Sequence, residues 1–250
     1  MSDDKMENGR GRTPIGKWDH IDNWVFDLDN TLYAAECQLF AQIDARMVAF
    51  IKDRLTLDHA EARRLQKDYY VTFGTTMSGL MHEHAVCPDE FMEYVHDIDL
   101  APISENPALA KALNALPGRK FIYTNGSVKH AENVAGALGI LDQFDEIFDI
   151  KAAGYTPKPQ RAPYEQFLAA HKINPRRAAM FEDLIQNLEA PHALGMTTVL
   201  VHSDAAWLDD EPQAKRPARP GESAPHIHYV TDDLTRFLEA SQIGLAALDN

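Results

Sequence analysis

Cysteine is nearly missing from this 250-residue chain. Only Cys37 and Cys87 are present, too few for a disulfide framework and in keeping with a reducing compartment. Also missing is any uninterrupted apolar run of membrane-spanning length, and the opening MSDDKMENGRGRTPIGKWDH has no apolar centre resembling a signal peptide. These absences predict a cytoplasmic protein with a disordered leader over residues 1–20. Basic charge is short as well. Against 38 Asp and Glu stand 24 Lys and Arg, a formal net charge of -14, which disfavours general binding to nucleic acid or to an anionic membrane. No long Lys/Arg cluster offsets it, since Lys215, Arg216 and Arg219 sit in a Pro-rich loop. An anionic ligand must therefore be drawn in by local features.

What is present is ordinary in bulk and unusual in detail. A hydrophobic fraction of 45% and a charged fraction of 25% are those of a soluble globular protein, long enough for one sizeable domain with an insertion or for two small ones. The detail is the run from Trp24 to Tyr33, WVFDLDNTLY, where an apolar strand leads directly into two carboxylates one residue apart. Side chains alternate along an extended chain, so Asp27 and Asp29 project to the same side until the turn begins. Carboxylates this close repel, and a divalent cation is the usual remedy. Taken alone, DLDNT also reads as an acidic turn, because Asp and Asn hydrogen-bond their own backbone. Further along, Thr124 and Asn125 follow the apolar strand Phe121 to Tyr123. Lys158 lies in TPKPQ, and Glu182 and Asp183 follow the strand of AAMFEDLIQNL. Lys158 has a plainer reading as a solvated loop lysine, with Lys151 nearby; Thr124 as a strand-end hydroxyl; Glu182 as a structurally paired carboxylate.

Asp27-Leu28-Asp29-Asn30-Thr31, Thr124-Asn125-Gly126, Lys158-Pro159 and Phe181-Glu182-Asp183 together resemble, in order, the motifs of the haloacid dehalogenase superfamily. The resemblance implies Asp27 as a nucleophile that forms an aspartyl phosphate, and Asp29 as general acid and base. It implies Mg2+ held by Asp27, Asp183 and the main-chain carbonyl of Asp29, with Thr124, Asn125 and Lys158 on the substrate phosphate. Glu182 would then position a metal-bound water or Lys158, and Asn187 would brace the Asp183 loop. Many relatives carry Ser directly after the acidic pair, whereas Leu184 and Ile185 stand here; an altered loop with an intact metal site is expected. Dehalogenase relatives lack a carboxylate two residues after the nucleophile, because a leaving halide needs no proton, so Asp29 argues for phosphoryl transfer.

The rest of the chain predicts the architecture. From ECQLFAQIDARMVAFIKDRL to about Asp99 the pattern is mostly helical, with apolar Leu39, Phe40, Ile43, Met47, Phe50 and Ile51 at three- and four-residue spacing. HAEARRLQKDYYVTFG continues to Gly74, and PDEFMEYVHDI opens on Pro88. Residues 34–100, lying between the first and second motifs, resemble the helical insertion that this superfamily folds as a cap over the active site, which implies a core of residues 21–33 and 101–250. That larger part alternates strand and helix, which predicts an α/β core, a doubly wound parallel Rossmann-like sheet with right-handed crossovers. EPQAKRPARPGESAPH is a polar loop, and HIHYV starts a last strand whose His226 and His228 read as strand surface rather than metal ligands. His82 and His84 do not fit the HExxH spacing and read as surface.

FDLDNTLY, YYVTFGTTMSGL, EYVHDIDL and the later TNG, KP and FEDxxxNL runs resemble the pyrimidine 5′-nucleotidase branch. That likeness implies a small-molecule phosphate ester such as UMP or CMP as substrate. Tyr69, Tyr70, Phe73 and His96 are its cap candidates for contacting the base; packing within the cap is their other reading. A phosphatase or mutase of sugar or vitamin phosphates, and a non-catalytic binding protein of the same fold, remain alternatives. A monomer or homodimer is expected, with no nucleic-acid or membrane partner.

Overall fold

Strands with consecutive apolar residues, such as Trp24 to Phe26 and Ala178 to Phe181, can be covered on both faces, and this is how the centre of the sheet is built. The computed structural model describes residues 18–210 and 216–246. In chain order it contains β1 (Asn23–Phe26), α1 (Leu39–Leu55), α2 (His59–Phe73), α3 (Thr76–His84), α4 (Pro88–Val95), α5 (Pro107–Asn114) and β2 (Arg119–Tyr123). There follow α6 (Val128–Ala137), β3 (Glu146–Phe148), α7 (Arg161–Ala170), β4 (Ala178–Glu182), α8 (Glu189–Leu194), β5 (Thr197–Val201), β6 (Tyr229–Thr231) and α9 (Leu234–Ala246). The strands form one six-stranded parallel sheet in the order β3-β2-β1-β4-β5-β6. This is the doubly wound α/β core with a helical insertion that the alternation predicts.

Period-two alternation sorts the strand residues onto the two faces. Trp24, Phe26, Ile122, Ala179 and Phe181 pack with Leu113 of α5, Val134 of α6 and Leu238 of α9. Val25, Phe121, Tyr123 and Met180 pack on the other face with Tyr164 and Phe167 of α7. The register Val25 opposite both Phe121 and Met180 keeps each layer in line. Phe26 and Phe181 stack at 4.6 Å between centroids. Because β2 and β3 lie on one side of β1 while β4 lies on the other, the crossover direction reverses beside β1. Ligands sit at the carboxyl ends of strands at such a point.

The helices α1 to α4 enclose an apolar cluster of their own, including Ile43, Phe50, Ile51, Leu80, Phe91 and Val95, which Ile150 joins from the segment after β3. Asp58 caps α2 in a reciprocal capping box with Glu61, and Gly74 closes it at φ 86, a left-handed conformation that glycine adopts without a Cβ penalty. No helix among the described residues is long and apolar enough to cross a membrane.

Several expectations need correction. Trp18, assigned to the leader, is buried in the core and stacks on Trp24 at 5.7 Å; residues 1–17 lie outside the described residues. His226 and His228 precede β6 instead of lying on it. They serve as hydrogen-bonding braces: His226 Nε2 meets the Ile185 carbonyl at 2.8 Å and His228 Nδ1 the Thr198 hydroxyl at 2.8 Å. His82 and His84 are exposed, as expected.

Candidate active site

Three strand ends deliver the acidic and hydroxyl groups to one place. Asp27 directly follows β1, its N–H donating to the Phe181 carbonyl at 2.9 Å, so the parallel ladder itself sets its position. Thr124 follows β2 and is tied in the same way to the Phe148 carbonyl at 3.0 Å. Glu182 ends β4 and Asp183 follows it. Lys158 enters from the loop between β3 and α7, with its backbone N–H held by Asn125 Oδ1 at 2.9 Å. Asn125 thus orients the lysine loop.

The buried Lys158 ammonium donates to Asp27 Oδ1, to Glu182 Oε1 at 2.6 Å and to the Tyr123 carbonyl at 3.1 Å. Glu182 is fully engaged: Asn187 Nδ2 also donates to Oε1, at 2.7 Å, and the Leu184 N–H to Oε2, at 2.9 Å. The Leu184 amide therefore ties down the loop in which a Ser was absent. Thr124 Oγ1 accepts from the Gly126 N–H at 2.8 Å, which leaves its proton available to a ligand.

One oxygen each from Asp27, Glu182 and Asp183 lie within 4.8 Å of one another. Three buried carboxylates face a single ammonium, so full ionisation leaves uncompensated negative charge. Burial, with Glu182 and Asp29 adding to it against the pull of Lys158, pushes Asp27 up to about 7. Burial, Glu182 and Asp27 likewise push Asp183 well above the usual carboxylate range. Lys158 is buried too, but its carboxylate partners prevail and hold its proton more tightly than usual. A hard divalent cation fits this donor set: it favours carboxylate oxygens and supplies the missing positive charge. With both Glu182 oxygens engaged, Asp27 and Asp183 are the carboxylates left to hold it.

Asp29 stands in a different setting. Its Oδ1 accepts from the Tyr33 hydroxyl at 2.6 Å and meets His130 Nε2 at 2.9 Å. Burial opposes its ionisation, yet His130 and Tyr33 prevail and hold it below the usual range. The His96 ring stacks on His130 at 4.2 Å, and burial and His130 push His96 down to about 3. Neither Tyr33 nor His130 was singled out from the sequence. The available signals were weak: Tyr33 is four residues after Asp29, and His130 lies in the first turn of the helix after TNGS.

These groups line a cavity of about 140 Å3 whose opposite wall comes from the helical insertion. Asp27, Asp29, Thr124, Asn125, Lys158, Glu182, Asp183 and Asn187 all border it. Of the cap candidates, Tyr70 and His96 border it beside Phe40, Met47 and Phe91. Tyr69 and Phe73 do not: they pack edge to face on each other, with His84 on the Tyr69 hydroxyl and His82 against Phe73. Pro217, from the Pro-rich loop, also reaches the cavity, and the Ala218 N–H beside it donates to the Asp183 carbonyl at 2.8 Å. The loop read as merely polar thus braces the acidic pair through Ala218; its residues 211–215 lie outside the described residues.

Comparison with known proteins shows what the chain is similar to. Over 136 residues, 50% of this chain, the sequence is 30% identical to Phosphate metabolism protein 8 of Saccharomyces cerevisiae, and the chain spans only 42% of that relative's length. Among solved structures, CbbY from Rhodobacter sphaeroides in complex with phosphate matches with a TM-score of 0.58 at 16% identity, over 90% of this chain and 99% of that one. The L-2-haloacid dehalogenase of Xanthobacter autotrophicus with chloropropionic acid covalently bound matches with a TM-score of 0.54 at 16% identity, over 89% and 98%. Likenesses so distant in sequence speak for the fold alone. The model of the haloacid dehalogenase-like hydrolases, however, matches residues 21–195, most of the chain and every one of the strand-end groups just described. The chain belongs to the haloacid dehalogenase-like hydrolase family.

Proposed function

We propose that this protein hydrolyses phosphate monoesters through an aspartyl phosphate on Asp27, with pyrimidine nucleoside 5′-monophosphates such as UMP and CMP as its substrates. The observation that carries the reading is the second carboxylate: Asp29 borders the same cavity as Asp27. A dehalogenase has no use for a proton donor at that place, whereas an alkoxide leaving group needs one.

In the first step an Asp27 oxygen forms a bond to phosphorus as the ester P–O bond breaks, and Asp29 gives its proton to the departing oxygen. In the second, Asp29 takes a proton from water, the hydroxide attacks phosphorus, and phosphate leaves with Asp27 restored. His130 and Tyr33 keep Asp29 ionised, the form in which it can accept a proton from water. For the acid role, a phosphate dianion beside it raises its proton affinity through like-charge repulsion. Lys158 and the Thr124 hydroxyl stabilise the charge spread over the phosphoryl oxygens. Asp27, Asp183 and the Asp29 carbonyl would hold Mg2+, which when bound offsets the repulsion between an anionic nucleophile and an anionic ester.

The pyrimidine assignment rests on the sequence likeness and on the aromatic Phe40, Tyr70 and Phe91 in the cavity's far wall, which can contact a base. Tyr69 and Phe73 are withdrawn from that role. The test is phosphate release from UMP, CMP, purine nucleotides, sugar phosphates and pyridoxal phosphate, with Mg2+ and an Asp27→Asn control. Selective UMP and CMP turnover, lost in the variant, is expected. Turnover spread over sugar phosphates would discard the pyrimidine assignment, and turnover surviving in Asp27→Asn would remove the nucleophile.

A further inference from the structure

We infer that His130 is a positioning residue for Asp29: together with Tyr33 it engages Oδ1 and thereby presents Oδ2 as the oxygen that exchanges a proton with the leaving group. The inference rests on the phosphomonoesterase reading above. Three observations support it. First, His130 has a fixed backbone. Ser127 caps α6, its hydroxyl accepting the His130 N–H at 3.2 Å, so the ring starts from an anchored turn. Second, the ring is only 1% exposed and its Nε2 lies 2.9 Å from Asp29 Oδ1. Because the Tyr33 hydroxyl reaches the same oxygen at 2.6 Å, two donors fill the acceptor capacity of Oδ1. Third, the ring cannot easily swing away. His96, at the C-terminal end of α4, covers it in a nearly parallel stack, 4.2 Å between centroids and 11° between planes, and His96 Nδ1 is itself 3.1 Å from Ser127 Oγ.

This arrangement ties a helix of the insertion to the orientation of one core carboxylate. His96 was expected to face a base. The structure gives it a second duty, as the lid over the ring that steers Asp29.

A purely structural histidine and a positioning one differ in how their loss depends on the leaving group. p-Nitrophenolate departs without a proton, whereas the alkoxides released from UMP and glycerol 2-phosphate require one. In kcat/KM, which reports steps through the first irreversible one, His130→Met should therefore lower the two alkyl esters at least about 10-fold more than p-nitrophenyl phosphate, a modest share of what general acid catalysis contributes. His130→Gln, whose amide N–H can take the place of Nε2, should recover part of the alkyl-ester rate. Tyr33→Phe removes one oxygen with little change in packing and should shift the same ratio in the same direction, a check that stands even if His130→Met fails to fold. Equal losses on all three esters, or a Tyr33→Phe ratio unchanged from the parent, would overturn the positioning role while leaving the phosphatase reading intact. If the parent protein shows no Asp27-dependent turnover of any of the three, the phosphatase reading falls and this role falls with it.

Discussion

At the scale of single residues, Lys158 does the most to hold the site together. Among the described residues its ammonium is the one positive group in direct contact with Asp27 and Glu182. In Lys158→Met those carboxylates, with Asp183 nearby, lose it and remain buried. Breaking a buried pair by removing one partner costs about 3–5 kcal/mol. The variant should lose that much stability at neutral pH, and less in acid, where protonated carboxylates no longer need a partner. Urea unfolding of both proteins on either side of neutrality checks this, and a cost that does not shrink in acid would contradict it. Asp27 and Asp183 were legible in the sequence because each stands where an apolar strand stops, and Lys158, in the loop between β3 and α7, was legible only from its Lys-Pro pair and its place in the order of the motifs. His130 was not. It is 101 residues from Asp29, and a lone histidine in a helical pattern looks the same whether it meets a catalytic carboxylate or packs in a core.

At the scale of elements, the sheet was readable and the insertion less so. Apolar runs of the length of Trp24 to Phe26 or Ala179 to Phe181, each ending in polar residues, mark buried parallel strands almost unaided. The segment that forms α3 gave no comparable signal, since Thr76, Ser78 and Gly79 are poor helix formers. It is a helix because Thr75 caps it and tertiary contact holds it, and Gly79 shows how tight that contact is. A Cβ built there would lie 2.4 Å from Tyr69 Cγ of α2. Gly79→Ala should thus destabilise, although Ala is the better helix former by about 1 kcal/mol, because overpacking of this kind costs about 1–3 kcal/mol. A lowered Tm is the expected result; a raised one would mean that α2 and α3 separate freely. The same close packing explains why Tyr69 is unavailable to a substrate. Helical spacing places Tyr69, Tyr70 and Phe73 on one element but cannot tell which face meets a neighbouring helix, and here only Tyr70 was left for the cavity.

At the scale of the whole molecule, the question is how a chain already at -14 tolerates a further concentration of buried negative charge. The raised Asp27 pKa gives the answer a sign. Unfolded, the group releases its proton near 3.8; folded, it keeps it to about 7. Between those values the unfolded chain binds fewer protons, so this group's contribution to stability falls as pH rises through the window and levels off above it. A gap of roughly three pKa units corresponds to about 4 kcal/mol. His96 acts oppositely over part of the same range: held neutral in the fold, with its pKa down at about 3, it favours folding more as pH rises toward 6.5. The Asp27 contribution is therefore best isolated by difference. Asn resembles the protonated carboxyl and cannot ionise. Asp27→Asn should match the parent near about pH 4 and exceed its stability by up to about 4 kcal/mol near about pH 8. Mg2+ should close that gap from the parent's side, because a cation held by Asp27 and Asp183 stabilises the folded state by mass action and the variant lacks one of the two. Thermal unfolding of both proteins across pH, with and without Mg2+, reads this independently of activity. Equal stabilisation of parent and variant would place the cation elsewhere, and a variant no more stable than its parent above neutrality would mean that Lys158 fully compensates Asp27.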